Sequence, residues 1–224
     1  MTSYSNDHAS RCLVVDAIRE LVDKGLTSGS SGNVSVHVED GMLITPTGVV
    51  PARMEPEHIV FMSLAGAVGK DQLTPSSEWR MHADIYLNKP GIEAVVHCHS
   101  NYATILACAR KPIPALHYMI AATGSYQIPV ARYETFGSRE LSEANLEALQ
   151  TSLACLLANH GQLATGFDLA GAMKLAALVE EIAHWYWGAL AIGGPQLLNP
   201  SQMDDVLTRF ATYGQQEKRG DLAD

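Results

Sequence analysis

The sequence predicts an α/β protein with an antiparallel or mixed sheet. Strand-like segments at 34–38, 42–45 and 59–62 follow one another without a helix between them, which disfavours a βαβ repeat. Apolar residues at helical spacing over 9–24 predict an amphipathic helix that packs on such a sheet. The length of 224 residues is typical of one domain that can bury a sizeable core, so we expect a single domain over 1–224.

The charge and the cysteine content narrow the class of protein. A formal net charge of -9 and a pI near 5.4, with no run of Lys or Arg, disfavour nucleic acid and acidic membranes as partners. The four cysteines show no Cys-x-x-Cys spacing and are typical of reduced thiols in a cytoplasmic protein. We see no secretory signal and no apolar stretch of the ~18 residues that a spanning helix needs, so we expect a protein without a membrane partner.

The N-terminal third carries helix, loop and hairpin signals in turn. Gly25 ends the helix predicted over 9–24. The stretch 27–33 is too rich in Gly and Ser for regular structure. It is interpreted either as an ordinary flexible loop or as an anion-binding nest of backbone N–H groups. Asp40 and Gly41 predict a hairpin turn between the first two strands.

A second helix is predicted to begin within 74–80. Ser76 or Ser77 is a natural N-cap, and Glu78 then falls in the first turn, where the helix dipole favours a carboxylate. The same helix N-terminus offers N–H groups and two hydroxyls, which are the groups that proteins use to bind phosphate. A carboxylate beside a bound phosphate would be repelled unless a positive charge, such as a metal ion, held it.

The strongest chemical signal is the apolar stretch 91–100, which contains His-x-His. Side chains alternate along a strand, so His97 and His99 point to one side, whereas Cys98 points to the other and is predicted to lie in the core. Neutral imidazole is the commonest metal ligand, so the pair predicts a site for a divalent ion. A structural histidine pair is the alternative interpretation.

A third imidazole, His160, follows the buried strand predicted over 154–158. Three protein ligands with an open fourth position are typical of catalytic metal sites. Tyr118 lies in an otherwise apolar segment and is interpreted, from the residues alone, as a core tyrosine with one hydrogen bond. Further helices are predicted over 102–109, 136–150, 168–192 and 203–210, and a further strand over 128–130.

These motifs, in this order, resemble those of the class II aldolase/adducin family, most closely its bacterial L-fuculose-1-phosphate aldolases. They are a Gly-Asn loop, Thr-Pro-Thr-Gly, Pro-Ser-Ser-Glu, His-x-His, His-Tyr-Met and Asn-His-Gly, and the resemblance runs from about Leu21 to Gly214. It implies a three-layer α/β/α fold with a central mixed, mainly antiparallel sheet. It also implies a four-fold symmetric homotetramer with sites at the subunit interfaces.

The resemblance implies roles for individual residues. His97, His99 and His160 match the ligands of one zinc ion (Zn²⁺) per subunit. Glu78 matches the acid/base carboxylate, which also reaches the metal when substrate is absent. The positions that match the family's phosphate-binding site are Gly32, Asn33, Thr47, Gly48, Ser76 and Ser77.

Two tyrosines complete the implied site. Tyr118 matches a tyrosine that reaches the site from a neighbouring subunit and protonates the aldehyde oxygen. Tyr213 resembles a tail tyrosine that closes the site. Tyr118 is therefore expected to act at the end of the substrate that becomes the aldehyde.

The implied activity is reversible cleavage of a phosphorylated sugar by a zinc-dependent aldolase. Its substrate would be a ketose 1-phosphate, either L-fuculose 1-phosphate or a 5-deoxy- or 5-methylthio-ribulose 1-phosphate, and its products dihydroxyacetone phosphate and an aldehyde. A pentulose-phosphate 4-epimerase is disfavoured, because His117-Tyr118-Met119 stands where the epimerases resemble one another in a His-Ala-Asp-like segment. Two further candidate functions are a methylthioribulose-1-phosphate dehydratase and a non-catalytic adducin-like scaffold. The scaffold is disfavoured by the presence of all three histidines and Glu78.

Overall fold

A seven-stranded sheet lies at the centre of the computed structural model, which describes residues 4–210. The strand order is β3-β2-β1-β4-β7-β6-β5, and every neighbouring pair is antiparallel except the parallel pair β5 and β6. The predicted mixed, mainly antiparallel sheet is confirmed. The strands are β1 (Asn33–Val38), β2 (Gly41–Ile44), β3 (Val60–Met62), β4 (Ala94–Cys98), β5 (Val130–Ala131), β6 (Ala154–Leu157) and β7 (Gly161–Gly166).

Six helices cover the two faces of the sheet in the described part of the chain. They are α1 (His8–Asp23), α2 (Trp79–Asn88), α3 (Asn101–Cys108), α4 (Arg139–Ala148), α5 (Leu169–Ala191) and α6 (Pro200–Phe210). Buried residues of α1, α3 and α5 pack on one face of the sheet, and those of α2 and α4 pack on the other. This is the three-layer α/β/α arrangement expected from the resemblance.

Strand β4 shows how the two faces are separated. Val96 and Cys98 belong to the core under α1, α3 and α5, whereas Val95 belongs to the core under α2 and α4. Because strand residues alternate, His97 lies on the same face as Val95. The prediction that Cys98 is a core residue pointing away from the histidines is confirmed, and its side chain is fully buried.

Helix α1 ends where the sequence predicts, at a glycine-containing cap. Gly25 has a φ of +67°, and its N–H donates to the carbonyl of Val22. The next N–H, that of Leu26, donates to the carbonyl of Leu21 at 2.8 Å. These two bonds form a Schellman motif, in which a left-handed residue satisfies the last carbonyls of the helix.

Helix α2 begins within 74–80 as predicted, but its N-cap residue differs from the prediction. The N-cap position is occupied by Glu78, not by Ser76 or Ser77, and its side chain makes no capping hydrogen bond. Ser76 instead forms a turn that precedes the helix, since its carbonyl accepts from the N–H of Trp79 and its hydroxyl from the N–H of Glu78. The Glu78 carboxylate is consequently free to point away from the helix.

Two further strands, the interior strand β7 and the edge strand β5, also differ from prediction. Strand β7, which follows His160 directly, has no counterpart among the predicted strands; its small residues Gly161, Ala164 and Gly166 weaken the strand signal. Strand β5 starts at Val130, because Ile128 instead forms an isolated bridge with Ile113.

The cysteines are all free, and Cys98 and Cys155 are buried, but Cys108 is exposed and therefore lies outside the core. Within 4–210, no helix combines the length and the apolar character needed to cross a bilayer. The single domain over 1–224 stays a prediction.

Candidate active site

Three imidazole rings meet at one end of the sheet. His97 lies in β4, His99 follows that strand directly, and His160 lies in the turn between β6 and β7. Their ring centroids are 4.8 to 4.9 Å apart, each pair edge to face. The Nε2 atoms of His97 and His99 are 3.1 Å apart. The predicted convergence of three imidazoles is therefore present in the structure.

The β6–β7 hairpin brings His160 to the other two rings. Asn159 adopts a left-handed φ of +57°, which short polar side chains tolerate and which closes the tight turn. Gly161 then packs directly on the His-x-His segment, since a Cβ atom at this position would lie 2.5 Å from the carbonyl oxygen of Cys98 and 2.9 Å from His99 Cδ2. Only glycine permits this approach.

The ligating atom of His97 is set by a backbone contact. Its Nδ1 lies 2.8 Å from the carbonyl oxygen of Gln162, an acceptor, so Nδ1 carries the proton and Nε2 presents a lone pair to the cluster. Burial lowers the pKa of His97 to about 4, and burial also lowers the pKa of His99. Both rings are therefore neutral near pH 7, which is the form that binds metals.

Glu78 places its carboxylate beside this cluster. Oε2 lies 3.3 Å from His97 Nε2 and accepts a hydrogen bond of 2.9 Å from Asn33, and Oε1 lies 3.3 Å from His160 Nε2. Burial raises the pKa of the Glu78 carboxyl, but His97, His160 and the Asn33 hydrogen bond outweigh it, and the pKa is lowered overall. Oε1 is buried and has no hydrogen-bond partner among the described residues.

The donor set fits a divalent transition metal. One ligand atom from each of His97, His99 and His160 lies within 4.8 Å of the others. The lone pair on His97 Nε2 faces the cluster, and a buried carboxylate oxygen without a partner, such as Glu78 Oε1, is costly. A cation held by the three imidazoles and reached by Glu78 would bind the lone pair and compensate the carboxylate oxygen.

A cavity of about 360 Å³ opens beside the histidines. Five of the six predicted phosphate-binding residues line it, and Gly48 does not, although it directly follows Thr47 in the chain. Position 32 requires glycine, since its φ is +80° and a Cβ would lie 2.9 Å from the carbonyl oxygen of His97. The five lining residues are Gly32, Asn33, Thr47, Ser76 and Ser77.

Of the two predicted tyrosines, Tyr118 is not brought to this cavity. Tyr118 is 46% exposed, so it is not the core tyrosine that its apolar neighbours suggest, and it does not contribute to the lining. Its ring contacts that of His117, with the centroids 4.6 Å apart. Tyr213 lies outside the described residues.

The cavity lining also contains residues that no sequence motif indicates. Tyr133 and Phe136 are 53% and 67% exposed and belong to the loop between β5 and α4. Only the sheet order, which places β5 beside β6, brings this loop near His160. Glu134 also lies outside the predicted motifs, whereas Ser30 and Ser31 belong to the predicted loop 27–33, Pro46 to Thr-Pro-Thr-Gly and Asn159 to Asn-His-Gly.

The chain is similar over most of its length to known aldolases. The chain is 46% identical over 201 residues to a 5-methylthioribulose-1-phosphate/5-deoxyribulose-1-phosphate aldolase from Rhodospirillum rubrum, covering 90% of each protein. It is 44% identical over 202 residues to an L-fuculose phosphate aldolase from Escherichia coli K12, covering 90% of this chain and 94% of the relative. The solved structure of an L-fuculose 1-phosphate aldolase matches with a TM-score of 0.89 at 36% identity, covering 93% of this chain and 99% of the other.

A family-level match covers most of the described chain. Residues 12–187 match the family described as Class II Aldolase and Adducin N-terminal domain. This range includes all three histidines of the cluster and Glu78. The chain therefore belongs to the class II aldolase/adducin family.

Proposed function

We propose that this protein is a zinc-dependent aldolase that reversibly cleaves a ketose 1-phosphate to dihydroxyacetone phosphate and an aldehyde. The observation that carries the proposal is the meeting of three imidazoles and the Glu78 carboxylate beside a cavity lined by hydroxyl and glycine residues. Two of the relatives are aldolases of 5-methylthioribulose 1-phosphate, 5-deoxyribulose 1-phosphate and L-fuculose phosphate. Their sequence similarity supports the same class of substrate here.

His97, His99 and His160 would hold the metal, and the mixture of nitrogen and carboxylate donors favours zinc. When bound, the ion supplies Lewis-acid stabilisation of the negative charge that develops on the ketose carbonyl as the carbon–carbon bond breaks. The carbonyl of Gln162 keeps His97 in the tautomer that presents Nε2. Such contacts fix ring orientation and raise ligand basicity.

Glu78 is the proposed acid/base group. Its lowered pKa keeps the carboxylate ionised near pH 7, so it can accept a proton from the carbon that forms the new bond in the synthetic direction. In cleavage it returns that proton to the same carbon, which becomes the hydroxymethyl carbon of dihydroxyacetone phosphate. The Glu78 side chain is 10% exposed, so bulk water has little access to it.

The phosphate is proposed to bind at the end of the cavity formed by Gly32, Thr47, Ser76 and Ser77. Among the described residues that line the cavity there is no Lys or Arg. Binding would therefore rely on short hydrogen bonds from hydroxyls and backbone N–H groups, which fix the position of the phosphate. The anchored phosphate would hold the reacting carbons beside Glu78.

The aldehyde half of the site is proposed to be completed by a neighbouring subunit of a homotetramer. Tyr118 is exposed in the single chain and absent from its cavity, so it can reach a site only across a subunit contact. There it would exchange a proton with the aldehyde oxygen, and Tyr213 would close the site. The free state of all four cysteines supports a reducing, cytoplasmic location.

The test is release of dihydroxyacetone phosphate from a panel of 1-phosphates of L-fuculose, 5-deoxyribulose, 5-methylthioribulose and ribulose. We expect release that stops when a chelator removes the metal and returns when zinc is added. The preferred substrate identifies the aldehyde; adding or removing one apolar group changes specificity by ~1–3 kcal/mol, so the comparison needs kcat/KM values. Absence of release from every member by zinc-loaded protein would refute the proposal.

A further inference from the structure

A buried chain of hydrogen bonds runs from Glu78 into the core. Asn33 Nδ2 donates to Glu78 Oε2 at 2.9 Å, and His82 Nε2 lies 2.5 Å from Asn33 Oδ1. On the other side of the imidazole, Ser35 Oγ lies 2.7 Å from His82 Nδ1 and 2.6 Å from Tyr86 Oη. The five residues are between 0% and 8% exposed, so solvent does not compete for these bonds.

This chain of hydrogen bonds results from the spacing of residues on β1 and α2. Glu78, His82 and Tyr86 are four residues apart, so they lie along one face of α2, beginning at its N-cap. Asn33 and Ser35 are two residues apart on β1 and therefore point to the same face of the sheet. The two rows interlock, so each β1 residue bonds to two residues of the α2 row.

The ionised carboxylate allows only one direction for these bonds. If Asn33 were reversed, its carbonyl oxygen would face Glu78 Oε2 at 2.9 Å and repel it. Nδ2 therefore faces Glu78, and Oδ1 must accept from His82 Nε2, which places the imidazole proton on Nε2 and a lone pair on Nδ1. Ser35 then donates to Nδ1.

The phenol completes this order. Because Ser35 has only one proton to give, Tyr86 must donate to Ser35. Burial lowers the pKa of His82 to about 3 and raises that of Tyr86, so the imidazole and the phenol are both neutral near pH 7. Every donor in the chain consequently points toward Glu78.

The two carboxylate oxygens are left in different states. Oε2 accepts from Asn33, whereas Oε1 is buried without a hydrogen-bond partner and lies toward His160. We propose that His82 is a positioning residue of the aldol reaction, which acts through Asn33 to hold Oε2 and leaves Oε1 to exchange the proton with substrate. This proposal rests on the acid/base role of Glu78 in the proposed function.

The first test does not depend on activity. In metal-free protein with ¹⁵N-labelled histidine, the resonances of His82 are assigned by their loss in His82→Gln. We expect a proton on Nε2 and none on Nδ1 at neutral pH. A proton on Nδ1 would reverse every bond of the chain and overturn the proposal.

The second test separates positioning from a merely structural role. In His82→Leu, which removes both hydrogen bonds, we expect kcat to fall by ~10–100-fold, as for other groups that orient a reacting residue, with KM and bound zinc unchanged. In His82→Gln, whose amide can donate to Asn33 Oδ1, we expect partial recovery of kcat. Equal kcat in His82→Leu and wild type, or no recovery in His82→Gln, would overturn the proposal.

His37→Gln is the matched control. The His37 ring stacks on Tyr86 with centroids 4.9 Å apart and contributes no bond to the chain, so its loss should leave kcat unchanged. If His82→Leu does not fold, Ser35→Ala replaces it, and a kcat equal to that of wild type would overturn the proposal. If the wild-type protein binds zinc but releases no dihydroxyacetone phosphate, the proposed function is refuted instead. The NMR test does not depend on activity, so it still reports the His82 tautomer in that case.

Discussion

Glu78 shows how the surroundings of a side chain depend on elements that are distant in sequence. In a helix N-terminal turn, a glutamate is most simply explained by the helix dipole. The structure instead places this carboxylate at the N-cap with no capping bond, 3.3 Å from two imidazoles. Its environment is therefore built from β1, β4 and the β6–β7 turn, which are remote in sequence.

Replacement of Glu78 by glutamine should abolish most of the turnover. Glutamine keeps the size of the side chain and can still accept from Asn33, but it cannot exchange a proton at neutral pH. General acid/base catalysis is typically worth ~10²–10⁴-fold, so we expect kcat to fall by that factor while the melting temperature stays close to that of wild type. Steady-state kinetics check this, and near-normal turnover would remove Glu78 from the mechanism.

Gly161→Ala should weaken metal binding without a change to any ligand. The added methyl group would lie 2.5 Å from the Cys98 carbonyl and 2.9 Å from His99, so β7 and His160 must move away from the other ligands. We expect at least a tenfold rise in the zinc Kd, as for other disturbances of ligand orientation, measured by competition with a chromogenic chelator.

Gly188→Ala provides the control for that substitution. Gly188 lies within α5, and a Cβ there would have no neighbour within 4 Å. Alanine is favoured over glycine in helices by ~1 kcal/mol, so this variant should be at least as stable as wild type and bind zinc equally well. Equal zinc affinity in both variants would contradict the role given to Gly161.

At the scale of elements, the cap of α1 offers a test that is independent of the site. Gly25 has a φ of +67° and open space around its Cα, so Gly25→Ala adds backbone strain without a steric clash. The left-handed conformation costs an L-residue ~1–2 kcal/mol. Urea unfolding should show a loss of this size with kcat unchanged, whereas unaltered stability would mean that the Schellman motif contributes little.

Elements with strong local signals could be predicted from the sequence, and those defined by tertiary contacts could not. Helix α1 and the β1–β2 hairpin carry a cap, a turn and clear apolar periodicity. Strand β7 carries none of these, because it is held by β4 and β6 on either side and by the close approach of Gly161. The predicted N-cap of α2 was wrong for a similar reason, since Ser76 is engaged by the preceding turn.

The candidate site divides in the same way. The three histidines could be predicted because each lies at or just after the end of a buried strand. Five further cavity-lining positions could be predicted because they belong to motifs that resemble those of the family. Tyr133 and Phe136 could not, because their place in the cavity lining depends on the order of strands in the sheet. The chain of hydrogen bonds through His82 could not be predicted either, because it depends on the register of α2 against β1.

For the whole molecule, the buried histidines predict acid-sensitive stability in the metal-free state. Folding lowers the pKa of His82 to about 3 and of His97 to about 4, from 6.5. As the pH falls below 6.5, the unfolded chain therefore takes up protons that the folded chain does not, and stability is lost toward pH 4. At pH 5 each histidine should remove about 2 kcal/mol relative to pH 7.5.

Urea unfolding of the metal-free protein at the two pH values, at one protein concentration, measures this loss. His82→Gln removes one of the two groups and should show a smaller difference between pH 7.5 and pH 5. Equal free energies of unfolding at both pH values in wild type would contradict the prediction.

The proposed homotetramer predicts that two inactive variants restore activity when they assemble together. If Tyr118 serves the site of a neighbouring subunit, a Glu78→Gln subunit and a Tyr118→Phe subunit can each supply the intact group that the other lacks. A site that takes Glu78 from a Tyr118→Phe subunit and Tyr118 from a Glu78→Gln subunit contains both intact groups. Random mixing in a cyclic oligomer gives about one quarter of such sites. Co-expression of the two variants should therefore give about a quarter of wild-type kcat, well above either variant alone.

Activity equal to the average of the separate variants would show that Tyr118 does not act across an interface. A mixture of separately assembled variants, tested before subunits exchange, is the control and should stay inactive.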